Sequence, residues 1–210
     1  MNEDLSELRR EALVEIINIS FGLASASLAE MLHVQVILNV PEVREVEYNT
    51  ITAELEKRIG KEELVSVIQQ VFIGSFSGEV LFIISSDMAK SAIKALSAEA
   101  GYADGFESQE LENEVLLEVG NIIVGAFIGK LVELLNATAR YEIPNILIHN
   151  ATIGTLLCSD SNNLFDKTLL VKTSFQLSDA TVSGYLFILL NQKTLNSLYS
   201  AIDGFIEQMA

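Results

Sequence analysis

One pattern is written twice in this chain, and it limits the possible folds more than any other feature. Glu15 and Asn18 stand three residues apart, and Pro41 follows 23 residues after the asparagine. Glu118 and Asn121 repeat the spacing, with Pro144 again 23 residues on. These are the only two prolines among 210 residues. Each glutamate follows another by four, Glu11 before Glu15 and Glu114 before Glu118, and Glu118 lies 103 residues after Glu15. The apolar surroundings agree as well, with Ala12 to Ile19 matching Val115 to Ile122. Further on, Ser77-Gly78 to Ile84 resembles Ser183-Gly184 to Leu190, now at an offset of 106, which implies three inserted residues in the second copy. Two copies of this size do not build a solenoid. They predict a pseudo-twofold pair around one core, a single domain over residues 1–210 with repeats at about 4–101 and 108–208.

The hydrophobic periodicity supplies the elements. Leu5, Leu8, Ala12, Ile16, Ile19, Leu23 and Leu28 recur at three- and four-residue steps, which predicts one helix over 4–32. Extended runs follow at 33–40, 43–48, 64–73 and 76–84, then a helix over 87–100 with Asp87 as N-cap, and a glycine-containing linker at 101–108. The second half repeats the order: a helix over 108–136, strands at 138–143, 146–149, 153–158, 167–175 and 181–190, and a helix over 192–208 capped by Asn191. Most strands follow one another directly, so the expected class is α+β, with a shared mixed or antiparallel sheet and long helices packed on it.

Composition narrows the function. Thirteen basic residues against 29 acidic ones give a net charge of −16, which repels phosphate backbones and anionic membrane surfaces. The lone cysteine, Cys158, cannot form an internal disulfide, and its apolar surroundings mark it as a buried thiol. His33 and His149 show no metal-ligand spacing, so no metal is expected in this chain. The acidic start, Met-Asn-Glu-Asp, is unlike a signal peptide, and with the missing disulfides it points to the cytoplasm. The longest apolar stretch, Val115 to Leu135, carries Glu118, Asn121, Lys130 and Glu133. It reads as a buried helix, and no membrane insertion is expected.

Glu11, Glu15, Asn18, Gly22 and Ser25 step by four and three along one helix face, and Glu114, Glu118, Asn121, Gly125 and Ile128 do the same on the other helix. A glycine inside a helix costs about 1 kcal/mol against alanine, so Gly22 and Gly125 suggest that something approaches the helix surface closely. The chain has no Ser/His/Asp set and no phosphate-cradling glycine loop. A carboxamide is no base at neutral pH, but it holds a water by donor and acceptor at once, and a neighbouring carboxylate pairs with a partner's lysine.

The paired Glu-x-x-Asn elements with their prolines resemble the signature of the CheC/CheX/FliY chemotaxis phosphatases, and two elements in one chain resemble the CheC type. The resemblance runs from about residue 5 to about residue 208. FliY-type chains add a C-terminal switch domain, which is not expected in a sequence of this length. The family pattern usually has Asp or Ser four residues before the glutamate, where this chain has Glu11 and Glu114. The resemblance implies a pseudo-twofold fold with both signature helices exposed. It also implies a CheY-type response regulator as substrate, carrying an aspartyl phosphate. Asn18 and Asn121 would orient the attacking water, and Glu15 and Glu118 would pair with the regulator's lysine. Magnesium would belong to the regulator, and no cofactor to this chain. CheD, a receptor deamidase, is a further partner of some members. The alternatives are a non-catalytic module like the FliM middle domain, docking the regulator, CheD or a flagellar switch partner, and a reader of the phosphorylated regulator that does not hydrolyse it. A hydrolase of small molecules stands third, for want of a nucleophile.

Overall fold

The computed structural model describes residues 6–32, 36–38, 42–47, 50–87, 89–90, 109–154, 167–172, 175–177, 184–190 and 192–209. The elements are α1 (Glu7–Leu32), β1 (Val36–Leu38), β2 (Glu42–Glu47), α2 (Ile51–Ile59), β3 (Leu64–Gly74), β4 (Gly78–Ser85), α3 (Gln109–Leu134), β5 (Ala139–Tyr141), β6 (Asn145–Thr152), β7 (Lys167–Lys172), β8 (Phe175–Leu177), β9 (Gly184–Leu189) and α4 (Gln192–Met209). Every pairing is antiparallel. The main sheet runs β2-β7-β9-β4-β3-β5, with β6 also on β3, while β1 and β8 form a separate pair.

The central strands are apolar without a break because both of their faces are covered, a pattern more usual for parallel sheets. Val80, Phe82 and Ile84 of β4, with Leu186 and Ile188 of β9, join the core that also holds Leu13, Ile16, Ile17 and Phe21 of α1, and Leu116, Ile123 and Phe127 of α3. The alternate residues Leu81, Ile83, Phe187 and Leu189 point the other way and pack with Ile51, Ile148 and Ile153. The first core contains the seam between the two long helices, where Phe21 stacks on Phe127 with ring centroids 4.7 Å apart. Such a pair adds about 0.5–1.5 kcal/mol beyond its buried area. By length and composition α3 could cross a membrane, but its apolar side chains, Leu116, Val119, Val124 and Leu131 among them, are buried in this core.

The helix ends follow local chemistry. The Arg9 N–H donates to Ser6 Oγ at 3.3 Å, which caps α1. Beyond α3, Asn136 takes the left-handed conformation (φ 50°), and the Ala137 N–H donates back to the Val132 carbonyl at 2.7 Å.

The strand register carries the 103-residue offset seen in the helices. Leu38 faces Phe175, and Tyr141 faces Phe72. Val43 faces Val171, and Ile146 faces Ile68. In both cases the residues are related by 103 positions. The β4 and β9 strands depart from the sequence likeness. Ser66 faces Ile84 and Leu169 faces Ile188, so these two strands correspond at 104 residues rather than the expected 106. The difference of two keeps every side chain on its expected face, which is why sequence similarity alone could not detect it.

Other differences are local. Helix α2 was not expected; it is only nine residues long and is anchored by buried Ile51. The strand expected over 153–158 does not begin there: β6 ends at Thr152, and Ile153 and Gly154 form a tight helical turn, with 155–158 outside the described residues. The strand expected over 167–175 is divided between β7 and β8. Most of the helix expected over 87–100, the linker at 101–108, and His33, Pro41, Cys158 and Asn191 also lie outside them. Asp87 is already helical, one residue into a turn that starts at Ser86, so it is not the cap.

The third long helix is tied to the first by a two-pronged ion pair. Arg9 Nε and Nη2 donate to Asp203 Oδ1 and Oδ2 at 2.8 and 2.6 Å, and the guanidinium lies 5.4 Å from the centre of the Tyr199 ring. The hydrogen bonds from Arg9 hold the Asp203 carboxyl below its ordinary pKa. Asp203 is part-exposed, so Asp203→Asn is expected to cost about 0.5–1 kcal/mol in urea denaturation at pH 7. A depressed carboxylate stabilises the fold above its unfolded pKa of about 3.9. The gap between variant and parent should therefore be full at neutral pH and close as pH falls through the depressed value.

Candidate functional site

Burial of the apolar sides of α1 and α3 leaves their polar stripes facing outward. Glu11 and Glu15 are exposed on α1 and Asn18 is half-buried; on α3, Glu114, Glu118 and Asn121 are all exposed. Among the described residues, Glu15, Asn18 and Glu118 make no side-chain hydrogen bond or ion pair. A Cβ built on Gly22 or on Gly125 would meet nothing within 4 Å. No part of the described chain therefore approaches either glycine. Ile19 and Leu23 are exposed beside Asn18 and Gly22. The two stripes diverge at their ends: Ser25 is half-buried, whereas Ile128 is fully buried in the core.

The close approach lies elsewhere, at a glycine that sequence reasoning left unremarked. Gly120 is buried, and a Cβ there would stand 2.8 Å from Ile68 Cγ2 and 3.3 Å from Ile68 Cβ. Its absence lets α3 settle onto β3. Ile68 and Gln70 are two residues apart on the same strand face, as Gly120 and Asn121 are neighbours on the helix. Gln70, only 2% exposed, donates from Nε2 to Asn121 Oδ1 at 3.2 Å and to the Glu142 carbonyl at 3.1 Å. The segment entering Pro144 is thereby joined to the site, and Ile143 within it is 90% exposed. Gln70 was not among the expected site residues. Its signal was a polar side chain at an inward position between Ile68 and Phe72.

Chemically, each stripe offers a carboxylate and a carboxamide to whatever docks. A carboxamide can orient a water, and a carboxylate can pair with a cation. One other arrangement has the order of a nucleophile and base. Ser66 Oγ lies 3.5 Å from His149 Nδ1, and Glu112 Oε2 lies 3.4 Å from His149 Nε2. Ser66, however, is 1% exposed, and its Oγ already accepts the Asn150 N–H at 3.3 Å, so no substrate reaches it. This network fastens β6 and α3 to β3. Among the described residues, no three His, Cys, Asp or Glu side chains gather where they could hold a metal ion.

No protein-family model matches the chain. Solved structures do. FliY from Thermotoga maritima superposes with a TM-score of 0.76 over 96% of this chain and 98% of that one, at 17% identity. FliM of H. pylori, solved in a FliG–FliM complex, gives 0.63 over 93% and 99%, at 12% identity. CheX of Borrelia burgdorferi, solved in a complex with CheY, BeF3 and magnesium, gives 0.52 over 83% and 97%, at 22% identity. The chain has the fold that FliY, FliM and CheX share. The expected α+β fold of CheC/CheX/FliY kind is therefore present.

The three helix glycines should respond differently to alanine. Gly22→Ala and Gly125→Ala meet no described residue within 4 Å and should raise unfolding free energy by about 0.5–1 kcal/mol. Gly120→Ala should lower it by about 1–3 kcal/mol, since the stiff branched side chain of Ile68 must move. Urea denaturation of the three variants checks the sign of each change.

Proposed function

We propose that the protein is a cytoplasmic phosphatase that accelerates hydrolysis of the aspartyl phosphate on a CheY-type response regulator. The observation that carries this reading is the pair of outward-facing Glu/Asn sets, Glu15 with Asn18 and Glu118 with Asn121, beside glycines that no described residue approaches. A fold shared with a CheX solved together with CheY supports the choice of partner.

In this reading the helix face docks against the regulator's phosphorylation site. Glu15 or Glu118 pairs with its lysine, which fixes the approach. Asn18 or Asn121 enters beside the phosphoryl group and holds one water in line with the phosphorus. The water oxygen forms the new P–O bond as the P–O bond to the aspartate breaks. Inorganic phosphate leaves and the aspartate carboxylate is restored. The chain contributes positioning, which is the main lever in phosphoryl transfer. Magnesium is the regulator's own, and this chain carries no cofactor. Glu11 and Glu114 extend the acidic face one turn toward each helix N-terminus. Gly22 and Gly125 let the regulator's surface lie close. The two stripes are two copies of one ancestral unit, and the common 103-residue register of helices and strands supports that origin.

A second reading is favoured by one observation, the FliM match. In that reading the protein is a non-catalytic module that docks the phosphorylated regulator, CheD or a flagellar switch partner. FliM, by resemblance, lacks the paired Glu and Asn.

Phosphate release from a phosphorylated CheY-type regulator with magnesium, with and without this protein, separates the two. Acceleration is expected, and Asn18→Ala combined with Asn121→Ala should abolish it. Each single variant should keep part of the rate. Asn18 makes no side-chain hydrogen bond among the described residues, while loss of Asn121 leaves one donor of buried Gln70 without its acceptor, so the double variant should stay folded but be about 1–3 kcal/mol less stable than the parent. Full acceleration by the folded double variant overturns the role of the amides. Binding of the phosphorylated regulator without acceleration by the parent establishes the second reading instead.

A further inference from the structure

We infer that Gln70 is the positioning residue of the Asn121 site. Buried in β3, it fixes which end of the Asn121 carboxamide faces the partner. This rests on the phosphatase reading above and deepens it.

The orientation follows from donor and acceptor chemistry. The Glu142 carbonyl can only accept, so the Gln70 atom facing it must be Nε2. The second proton of that nitrogen points to Asn121, so the Asn121 atom facing it must be Oδ1. Asn121 Nδ2 is then turned away from β3, toward the open face. The outer side of Asn121 offers two N–H donors and the remaining lone pair of Oδ1, enough to accept one water proton and donate to a phosphoryl oxygen. Donation into Oδ1 also polarises the amide and strengthens its outward N–H groups. A surface asparagine otherwise turns over freely about its terminal torsion, and half of its orientations would present the wrong end.

The burial of Gln70 is unfavourable for the fold. Its Oε1 is buried with no partner among the described residues. Such an acceptor costs about 1–3 kcal/mol, which methionine at the same position would not incur. Gln70 lies on the face of β3 that carries Ile68 and Phe72, where an apolar residue would pack. An amide kept at this cost, with both donors aimed at the site loop and at Asn121, serves the site. The 103-residue offset places Ile17, fully buried, where the second helix has Gly120, so α1 carries a side chain where α3 has none.

The test uses Asn18→Ala as the parent, so that all acceleration comes from the Asn121 site, and compares it with Asn18→Ala/Gln70→Met. Three quantities are read: kcat and KM for the phosphorylated regulator, the urea midpoint, and the Asn121 side-chain amide resonances, assigned by their loss in Asn121→Ala. The expected result is a kcat about five- to tenfold lower, the scale of one lost hydrogen bond. KM should be unchanged and the urea midpoint equal or higher. The two Asn121 amide protons, no longer polarised through Oδ1, should shift upfield toward the values of an asparagine whose oxygen accepts no hydrogen bond from the fold. A purely structural residue would lower stability along with rate. Unchanged Asn121 resonances overturn the hydrogen bond, and an unchanged kcat overturns the positioning role. A parent that binds the phosphorylated regulator without accelerating hydrolysis overturns the phosphatase reading and the catalytic part of this inference, while the resonances still decide the hydrogen bond.

Discussion

The arrangement depends on the packing of α1 against α3, with Phe21 stacked on Phe127 at the seam and the sheet beneath. Each helix is apolar over most of its circumference, so each must bury two directions at once, toward its neighbour and toward the core between helices and sheet. What remains is a narrow outward strip on each. Polar residues placed there face solvent whatever else the chain does. The strip is rigid because the core below it is close-packed, and rigidity is what a site acting by position requires. The sheet makes this possible by having a second core on its far face, where Ile51, Ile148 and Ile153 cover β4 and β9. Without that cover the apolar run of β4 would expose every second side chain.

Much of this was legible in the sequence. The two long helices could be read from their periodicity, and the Glu/Asn stripes from their register with the prolines. The strands β3, β4 and β9 were legible because β-branched and aromatic residues dominate them. Helix α2 was missed because nine residues give barely two turns, and Ile51, Leu55 and Ile59 at four-residue steps are a weak signal at that length. The division of 167–175 into β7 and β8 was hidden because both pieces have strand-like composition. The likeness of Gly78 to Gly184 suggested an insertion of three, while hydrogen-bond register places the strands one residue from the helix offset. Register is set by which faces must be buried, and a shift of two satisfies that rule as well as none.

The candidate site was legible in part, and the missing part has a clear physical cause. Helical spacing reveals what shares a face of one helix, but not what lies underneath it. Gly22 and Gly125 drew attention because they recur in the stripe, yet no described residue packs over either. The glycine that controls a distance within the fold is Gly120, which is outside the stripe and directed at Ile68. Gln70 was overlooked for a related reason: in Val-Ile-Gln-Gln-Val one of two adjacent glutamines must face inward, and the sequence does not say what waits there. Gln69 turns the other way and donates to Glu79 at 2.6 Å, a strand-surface contact.

The contrast between Gly120 and Ile17 bears on how two equivalent stripes come to differ. A site that works by holding a water needs its amide in one of two orientations, and an exposed asparagine has no preference of its own. A hydrogen bond from below supplies that preference only if the helix lies within reach of the strand. On α3 the missing Cβ at Gly120 brings the backbone down to Ile68, and Gln70 meets Asn121 at 3.2 Å. On α1 the corresponding position carries a fully buried isoleucine, which fills the space between helix and core. That side chain adds hydrophobic stabilisation of about 1.5–3 kcal/mol, and it removes the device by which α3 settles onto its strand. The same backbone position thus favours stability in one half and close approach in the other. Two stripes with the same Glu and Asn therefore rest on different foundations.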